Sequence, residues 1–488
     1  MGFFKKKYKN EQSINANKLE MDAVSLKDTL ATFKDCDDLT QNTIPQYQLH
    51  YLYFENLVNE IKVKEFLVDP FDVNKSPEVE QILAQERYTE IKDKNILYQG
   101  LLSGEAAIFH KDKAYLVNVF GPETRAVNES ETESVITGPH EAFNESAGQS
   151  ISLIRRRVRS SHLKTIRISV GEITKTDIYL LYIENIVNKD FVEMFKKRVG
   201  SIKIDGIFDS NMLIQMIEEN PYSIFPQYLT TERPDVAASK LIEGKIVAIT
   251  DGSPTATVAP TSFFDFFISP DDYYQRWALG SFLRLLRYIA FGITIFFTAF
   301  YVSLTTYHYE MIPRPLLLTL LESRSRVPFP PLLEALLMEI TIELLREAGA
   351  RLPTKIGQTI GIVGGIVIGQ AAVEAGFTSN VLIISVAISA IASFVIPSYM
   401  MSASIRLVRF GIIILAGMWG NYGIMLGVAL VLIHLTGITN MGTSYLTPIT
   451  PLYPQDLKDV FIRAPFSMLK SRPVQSRTPN PIREKKKL

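Results

Sequence analysis

Charge is what this chain lacks most conspicuously. From Ile356 to Gln455, 100 residues carry three formal charges, Glu374, Arg406 and Arg409. At the whole-chain average of 21% charged, a stretch of that length would hold about twenty-one. A domain folded in water needs a polar exterior, so the depletion excludes an ordinary soluble domain there and calls for lipid. Cysteine is also scarce. Cys36, in a polar and acidic segment, stands alone, which excludes an intramolecular disulfide and agrees with a reducing compartment. Lys plus Arg and Asp plus Glu balance at 51 each, so no global charge argues for nucleic acid as a partner.

The inventory of reactive groups is equally thin. No pair among His50, His110, His140, His162, His308 and His434 has metal-ligand helical spacing. No phosphate-cradling Gly-Lys loop and no serine elbow is present. The expectation is a non-enzymatic protein without metal, cofactor or catalytic residues. The basic start Lys5, Lys6, Lys7, Lys9 has no apolar run behind it, so no cleavable signal is expected. Lys6 stands where a lipidation signal opening Met1-Gly2 would need Ser or Thr.

What is present divides the chain into five parts. Residues 1–45 read as a polar flexible tail with at most one short helix. Residues 46–145 read as a first soluble α/β subdomain. Within it, 51–63 and 78–93 have helical spacing, and 105–110 and 115–120 flank Lys111-Asp112-Lys113-Ala114 as a hairpin. Residues 146–270 read as a second α/β subdomain, with strands at 165–170, 177–183 and 202–207 and helices at 189–199, 210–219 and 235–243. A last hairpin turns at Asp251-Gly252-Ser253-Pro254. Residues 271–455 read as a helical membrane domain and 456–488 as a basic tail. The fold class expected is thus a multi-domain membrane protein, two soluble α/β subdomains ahead of an α-helical transmembrane domain.

Four spans are expected, near 288–307, 356–376, 381–401 and 410–434, each long enough for a hydrocarbon core of roughly 30 Å. Gly420-Asn421-Tyr422-Gly423 interrupts the last run, leaving a fifth or re-entrant element open. An even count puts both basic ends on one side, in keeping with a cytoplasmic location for each. Arg324, Arg326, Arg346 and Arg351 fit that count poorly, because they fall in the loop that four spans place outside.

Two helices carry candidate functional residues. Gly357, Gly361, Gly365 and Gly369 recur every four residues, a bare ridge that lets another backbone approach in lipid. Either it packs inside one protomer or it lines an axis of a symmetric assembly, with Ile362 and Ile366 beside it and Glu374 at its end. In 332–350, Glu339, Glu343 and Glu347 share one face, with Arg346 and Arg351 placed for local ion pairs, and Leu333, Leu336, Leu337, Ile340 and Leu344 lie opposite. Such a helix can lie on a membrane surface, line a cation-attracting vestibule, or simply be an ion-paired structural helix. Arg155, Arg156, Arg157 and Arg159 form a basic cluster that could touch lipid, nucleic acid or an acidic partner, or simply face water.

Several stretches together resemble a known family. They are Thr137-Gly138-Pro139-His140-Glu141-Ala142-Phe143-Asn144-Glu145-Ser146 with Ile154-Arg155-Arg156-Arg157, then Asp251-Gly252-Ser253-Pro254, Asp271-Asp272-Tyr273-Tyr274 and 282–288. Leu345-Arg346-Glu347-Ala348, Arg351-Leu352-Pro353, Gly357-Gln358-Thr359 and 368–376 follow in order. From about 95 to 455 the chain is similar to the A subunits of GerA-type spore germinant receptors. The resemblance implies an endospore former and the spore inner membrane, with the soluble region on the core side. It implies a permease-like B subunit and a lipoprotein C subunit as partners. It further implies homo-oligomerisation into a nutrient-gated channel for monovalent cations, with the pore role on 357–376 and coupling on 332–350. An amplifying paralogue group shares these motifs, and Gly442-Thr443-Ser444-Tyr445 departs from the pattern expected of a receptor subunit. A secondary transporter is the alternative of another class, although no second copy of the glycine-rich helix supplies the internal repeat it needs. A soluble sensor merely anchored to the membrane is the third.

Overall fold

The computed structural model of the chain describes residues 24–72, 78–121, 130, 132–133, 135–352, 364–365 and 367–483. The first unit is built on an antiparallel sheet of β1 (Leu39–Ile44), β2 (Leu49–Phe54), β3 (Thr89–Ile91), β4 (Glu105–His110) and β5 (Lys113–Asn118), in the order β1-β2-β4-β5-β3. Helices α1 (Leu26–Thr32) and α2 (Lys94–Leu102) cover one face, where Leu52, Phe54, Leu97, Leu101 and Leu116 share a core. β4 and β5 pair from His110–Lys113 outward, so the turn is two residues and starts at Lys111 in the left-handed region.

Three expectations fail here. Residues 24–45 are not a tail, because Leu39–Ile44 pairs with β2 as an edge strand whose outward polar alternation hides it in the sequence. The stretch 51–63 is not one helix; it begins as β2, where Leu49, Tyr51, Leu52 and Phe54 are buried on both faces. The stretch 78–93 splits into a helical turn, Val79–Leu83, and β3.

The second unit is a helix–sheet–helix sandwich. Its strands β6 (Leu163–Val170), β7 (Thr176–Ile183), β8 (Leu229–Thr231), β9 (Ile246–Thr250) and β10 (Ala256–Ala259) form an antiparallel sheet in the order β6-β7-β9-β10-β8. Helices α3 (Ala147–Arg157) and α6 (Pro234–Ile242) pack on one face, α4 (Lys189–Gly200) and α5 (Ser210–Ile217) on the other. β9 shows why both faces are apolar. Val247 and Ile249 meet Ile154 and Leu241, whereas Ile246 and Ala248 meet Phe191 and Phe195. Side-chain caps start three of the helices, from Ser146, Asn188 and Asp209. The strand expected at 202–207 is irregular chain instead.

From 277 to 437 the described chain is mainly helical, with α7 (Trp277–Thr306), α8 (Arg314–Arg324), α9 (Pro331–Arg351), α10 (Asn380–Phe394), α11 (Tyr399–Trp419) and α12 (Asn421–Gly437). On length and composition α7 and α11 could each cross a membrane; α10 and α12 are apolar but shorter. The run 410–434 is therefore two helices, broken at Gly420, whose φ of 59° makes a one-residue corner. α12 folds back on α11 so closely that a Cβ on Gly423 would lie 1.9 Å from the Leu415 carbonyl oxygen. The span expected at 356–376 falls partly outside the described residues, and 367–374 is helical.

Hydrogen bonds fix the directions. Tyr307, just past α7, donates to Met418 near the end of α11 at 2.8 Å, so these two helices run in the same sense. Ser379, which caps α10, bonds Tyr301 late in α7, and Ser389 donates to the Thr294 carbonyl, so α10 runs back. α9 runs with α10, since Glu334 meets Ser379 at one end and Arg346 meets Ser393 at the other. Gly364 lies against Leu345 and Gly376 against the Arg326 carbonyl, so the stretch between them runs opposite to α9. Among the described residues, the bundle thus alternates through α7, α9, 364–376, α10, α11 and α12. The amphipathic helix at 332–350, which the sequence leaves open to a membrane-surface, a vestibule or an ion-paired structural role, is a full member of it. The expected basic tail is also packed chain up to 483: Arg472, buried, donates to the carbonyls of Ile242, Asn480 and Ile482.

Candidate functional site

The bundle is apolar outside, and inside it buries polar and charged side chains beside an apolar core of Ile295, Val302, Leu382, Val386, Ile405 and Ile413. Thr294, Thr298, Ser303, Glu339, Ser389 and Arg409 are fully buried, whereas Leu344 is 66% and Ile433 68% exposed. α9 shows this arrangement most plainly. Its buried face is Glu334, Ala335, Met338 and Glu339, and its outward face includes Leu333, Leu337, Ile340 and Leu344. Of the acidic stripe seen in the sequence, Glu339 is buried in the bundle and Glu343 half-buried beside it, whereas Glu347 is exposed.

Two of the three charges in the depleted stretch meet that stripe. Arg409 lies 2.7 Å from Glu339 and 3.1 Å from Glu343, and Arg406 reaches Glu343 at 3.3 Å. Thr298 donates to Glu339 at 2.8 Å, and Arg409 also donates to Ser389. Arg346 pairs with Glu343, donates to Ser393 and lies over the Phe394 ring. Charges taken out of water are tolerated only when paired and hydrogen-bonded, and each of these has such partners. The sequence placed Arg406 and Arg409 in an apolar run but assigned them no role. Their signal was their isolation there. Glu347 and Arg351 form an exposed pair at 2.5 Å at the end of α9.

The glycine helix behaves differently. Gly357, Gly361, Ile362 and Ile366 lie outside the described residues. Among the described residues, no side chain or other element comes within 4 Å of where a Cβ on Gly365 or Gly369 would stand. Gln370 donates to Glu374 at 3.0 Å, and both side chains are exposed on this outward surface. Gly364 touches the rest of the protomer at Leu345, and Gly376 at the Arg326 carbonyl.

Above the bundle, sequence motifs that lie far apart come together. Asp272 accepts from Arg284 at 3.0 Å and Arg287 at 2.8 Å, and Arg284 reaches on to Asp459 at 3.1 Å. Tyr273 donates to the same Asp459. The amides of Ile136 and Thr137 donate to Asp271, and Gly138, at φ +127°, leaves room for the Tyr274 ring. Gly252 donates to the Glu145 carbonyl and Asp251 accepts from Ala147, so the 251–254 turn holds the 141–147 segment. Pro139 accepts from Arg233, and the Phe143 amide donates to Glu232. Asp265 bridges Lys240 at 3.0 Å and Lys245 at 2.7 Å. Burial alone would raise its carboxyl, but the two ammonium groups outweigh burial and hold it well below the usual range. A cavity of about 450 Å³ opens beside these groups, lined among others by Asp235, Lys240, Tyr274, Phe394 and Pro397.

The basic cluster is not one surface. Arg155 is buried, grips Asp38 of the first unit through two hydrogen bonds of 2.5 and 2.6 Å, and lies over Phe54. Arg157 pairs with Glu141, while Arg156 and Arg159 are exposed. Arg155 and Arg157 therefore join parts of this chain rather than waiting for nucleic acid or lipid. Among the described residues no cluster of His, Cys, Asp and Glu could hold a metal.

An α/β front end locked by ion pairs to a helical bundle with an apolar exterior and buried charge pairs defines the class. The chain belongs to the Bacillus/Clostridium GerA spore germination protein family, whose model matches residues 26–475. It is 45% identical over 430 residues to spore germination protein GerQA of Bacillus cereus, covering 88% of this chain and 85% of that one. It is 36% identical over 431 residues to the uncharacterized membrane protein YfkQ of Bacillus subtilis (strain 168), covering 86% and 84%. A crystal structure of the N-terminal domain of the A subunit of the Bacillus megaterium spore germinant receptor GerK3 matches 49% of this chain and 94% of that one, with a TM-score of 0.38 and 25% identity.

Proposed function

We propose that this chain is the A-type subunit of a spore germinant receptor complex, and that its copies assemble into a gated path for monovalent cations in the spore inner membrane. The observation that carries the reading is a bundle with an apolar exterior, buried charge pairs and a glycine face that meets no partner among the described residues. Apolar side chains turned outward and ion pairs turned inward suit lipid as the surroundings. An exposed polar pair, Gln370 and Glu374, continues the bare surface at Gly365 and Gly369. In lipid that face is covered best by another helix, and the same face of a second copy is the economical choice. The six alternating stretches return the chain to the side of its soluble units, which we place on the core side with the basic ends.

The mechanism is a shift between two packings. Nutrient sensed on a permease-like partner, with a lipoprotein subunit completing the complex, favours one arrangement of the two α/β units. The junction at Asp272 and the ion pairs on α9 and α11 pass it to the glycine helix, and the central constriction wets. No chemistry is catalysed. Spores carrying Gly365→Leu or Gly369→Leu should fail to release potassium on nutrient addition while holding normal amounts of the protein. Normal release from both variants would remove the glycine face from the path. The bundle alone fits an amplifying paralogue equally well. Loss of response to one nutrient only, in a deletion strain, marks a receptor subunit, whereas a general slowing marks an amplifier.

A further inference from the structure

The loop 220–226 of the second unit, between α5 and β8, reads Asn220-Pro221-Tyr222-Ser223-Ile224-Phe225-Pro226 and carries no charge. Tyr222 is 98% exposed, the most exposed large apolar side chain among the described residues, and Ile224 is 43% exposed. Neither is loose chain. Gln227 clamps the base of the loop, accepting from the Asn220 amide and donating to its carbonyl, and Ser223 accepts from the Phe225 amide. The display of Tyr222 is therefore built in.

The position of the loop says what it meets. Ser404, in the second turn of α11, donates to the Ile224 carbonyl at 2.5 Å. His434, in the last turn of α12, bonds the Ser223 hydroxyl at 3.0 Å, and its ring lies 6.0 Å from that of Phe225. The loop thus sits where two bundle helices reach the soluble units. Tyr399 and Met400, one turn from Ser404, and Ile433, next to His434, are exposed apolar side chains on the same helix ends that hold the loop presenting Ile224 and Tyr222.

We infer that the 220–226 loop is an interfacial anchor, with Tyr222 and Ile224 inserted among the lipid headgroups and upper acyl chains of the bilayer that holds the bundle. The inference rests on the membrane reading above. Tyrosine suits that depth, having an apolar ring and a hydroxyl that stays wet. The uncharged sequence suits it too, in a unit otherwise rich in Lys, Arg, Asp and Glu. The anchor ties the second α/β unit to the bilayer surface directly, so the unit feels the membrane as well as the helices.

The test is tryptophan quenching in the full chain, reconstituted in vesicles of phosphatidylcholine and phosphatidylglycerol brominated either high or low on the acyl chain. The native tryptophans, Trp277 and Trp419, allow a built-in control. One variant carries Tyr222→Trp with Trp277→Phe and Trp419→Phe; the other carries Trp277→Phe alone and reports on Trp419. The inference expects both reporters to be quenched, the one at 222 more by shallow than by deep bromines and with blue-shifted emission. Quenching of Trp419 with none at 222 overturns the anchor and leaves the loop to water or a protein partner. If neither is quenched, the membrane reading falls and the anchor with it.

Discussion

Arg409 and Glu339 are fully buried and 2.7 Å apart, and neither has water to fall back on. Removing one partner of a buried pair typically costs about 3–5 kcal/mol, because the survivor is left uncompensated, whereas replacing both with apolar groups is often nearly neutral. Arg409→Ala should therefore lower the thermal midpoint of the purified protein sharply. Glu339→Leu with Arg409→Met should recover most of that loss. If the pair also carries the signal, spores with the double variant hold normal protein and germinate poorly. A second residue-scale prediction concerns Glu218, at the base of the 220–226 loop, whose carboxyl burial pushes up from 4.5 to about 7. In that interval the folded state keeps a proton that the unfolded chain has released, so this group makes stability fall as pH rises from 4.5 to 7. Glu218→Gln should flatten that part of a stability–pH profile, and an unchanged slope would show the group is not so perturbed. At this scale the sequence was partly legible. The spacing of Glu339, Glu343 and Glu347 revealed one face. That the face turns inward at Glu339 and outward again by Glu347 was hidden, because periodicity gives a stripe's composition and not the solvent it meets.

Elements were legible where length and composition agreed, as in α7, α4 and the β9–β10 hairpin around the 251–254 turn. They were not where two periods compete. Leu49, Tyr51, Leu52 and Phe54 satisfy a helix and a doubly buried strand alike, and cross-strand partners decided for the strand. The α11–α12 corner was suggested by Gly420-Asn421-Tyr422-Gly423, yet its sharpness depends on a contact the sequence does not display. Gly423→Ala tests it. Alanine favours a helix over glycine by up to about 1 kcal/mol, and Gly437→Ala, with nothing within 4 Å, should be neutral or stabilising. At 423 the new methyl meets the Leu415 carbonyl, and overpacking of this kind costs about 1–3 kcal/mol. Opposite signs at the two positions in a thermal-shift measurement support the tight hairpin; equal effects contradict it.

For the whole molecule, the family motifs look independent along the sequence and prove to be one junction. Gly138 makes room for Tyr274, Glu145 holds Gly252, and Asp272 gathers Arg284 and Arg287, which reach it from the start of the first bundle helix. Contacts across a hundred residues and more could not be read from local spacing. Nor could the packing of the last residues, where Asp459 completes the junction. What the sequence did display was the bare glycine ridge, and its described members Gly365 and Gly369 meet no partner among the described residues. The most direct measurement is cross-linking in spore membranes. Cys36 is the one native cysteine and is buried, so Gly369→Cys adds a single accessible thiol. The account predicts copies joined through residue 369 under mild oxidation, with no such product from Leu430→Cys on the outward face of α12. A chain that stays single at 369, or that cross-links equally from both positions, would contradict assembly through the glycine face.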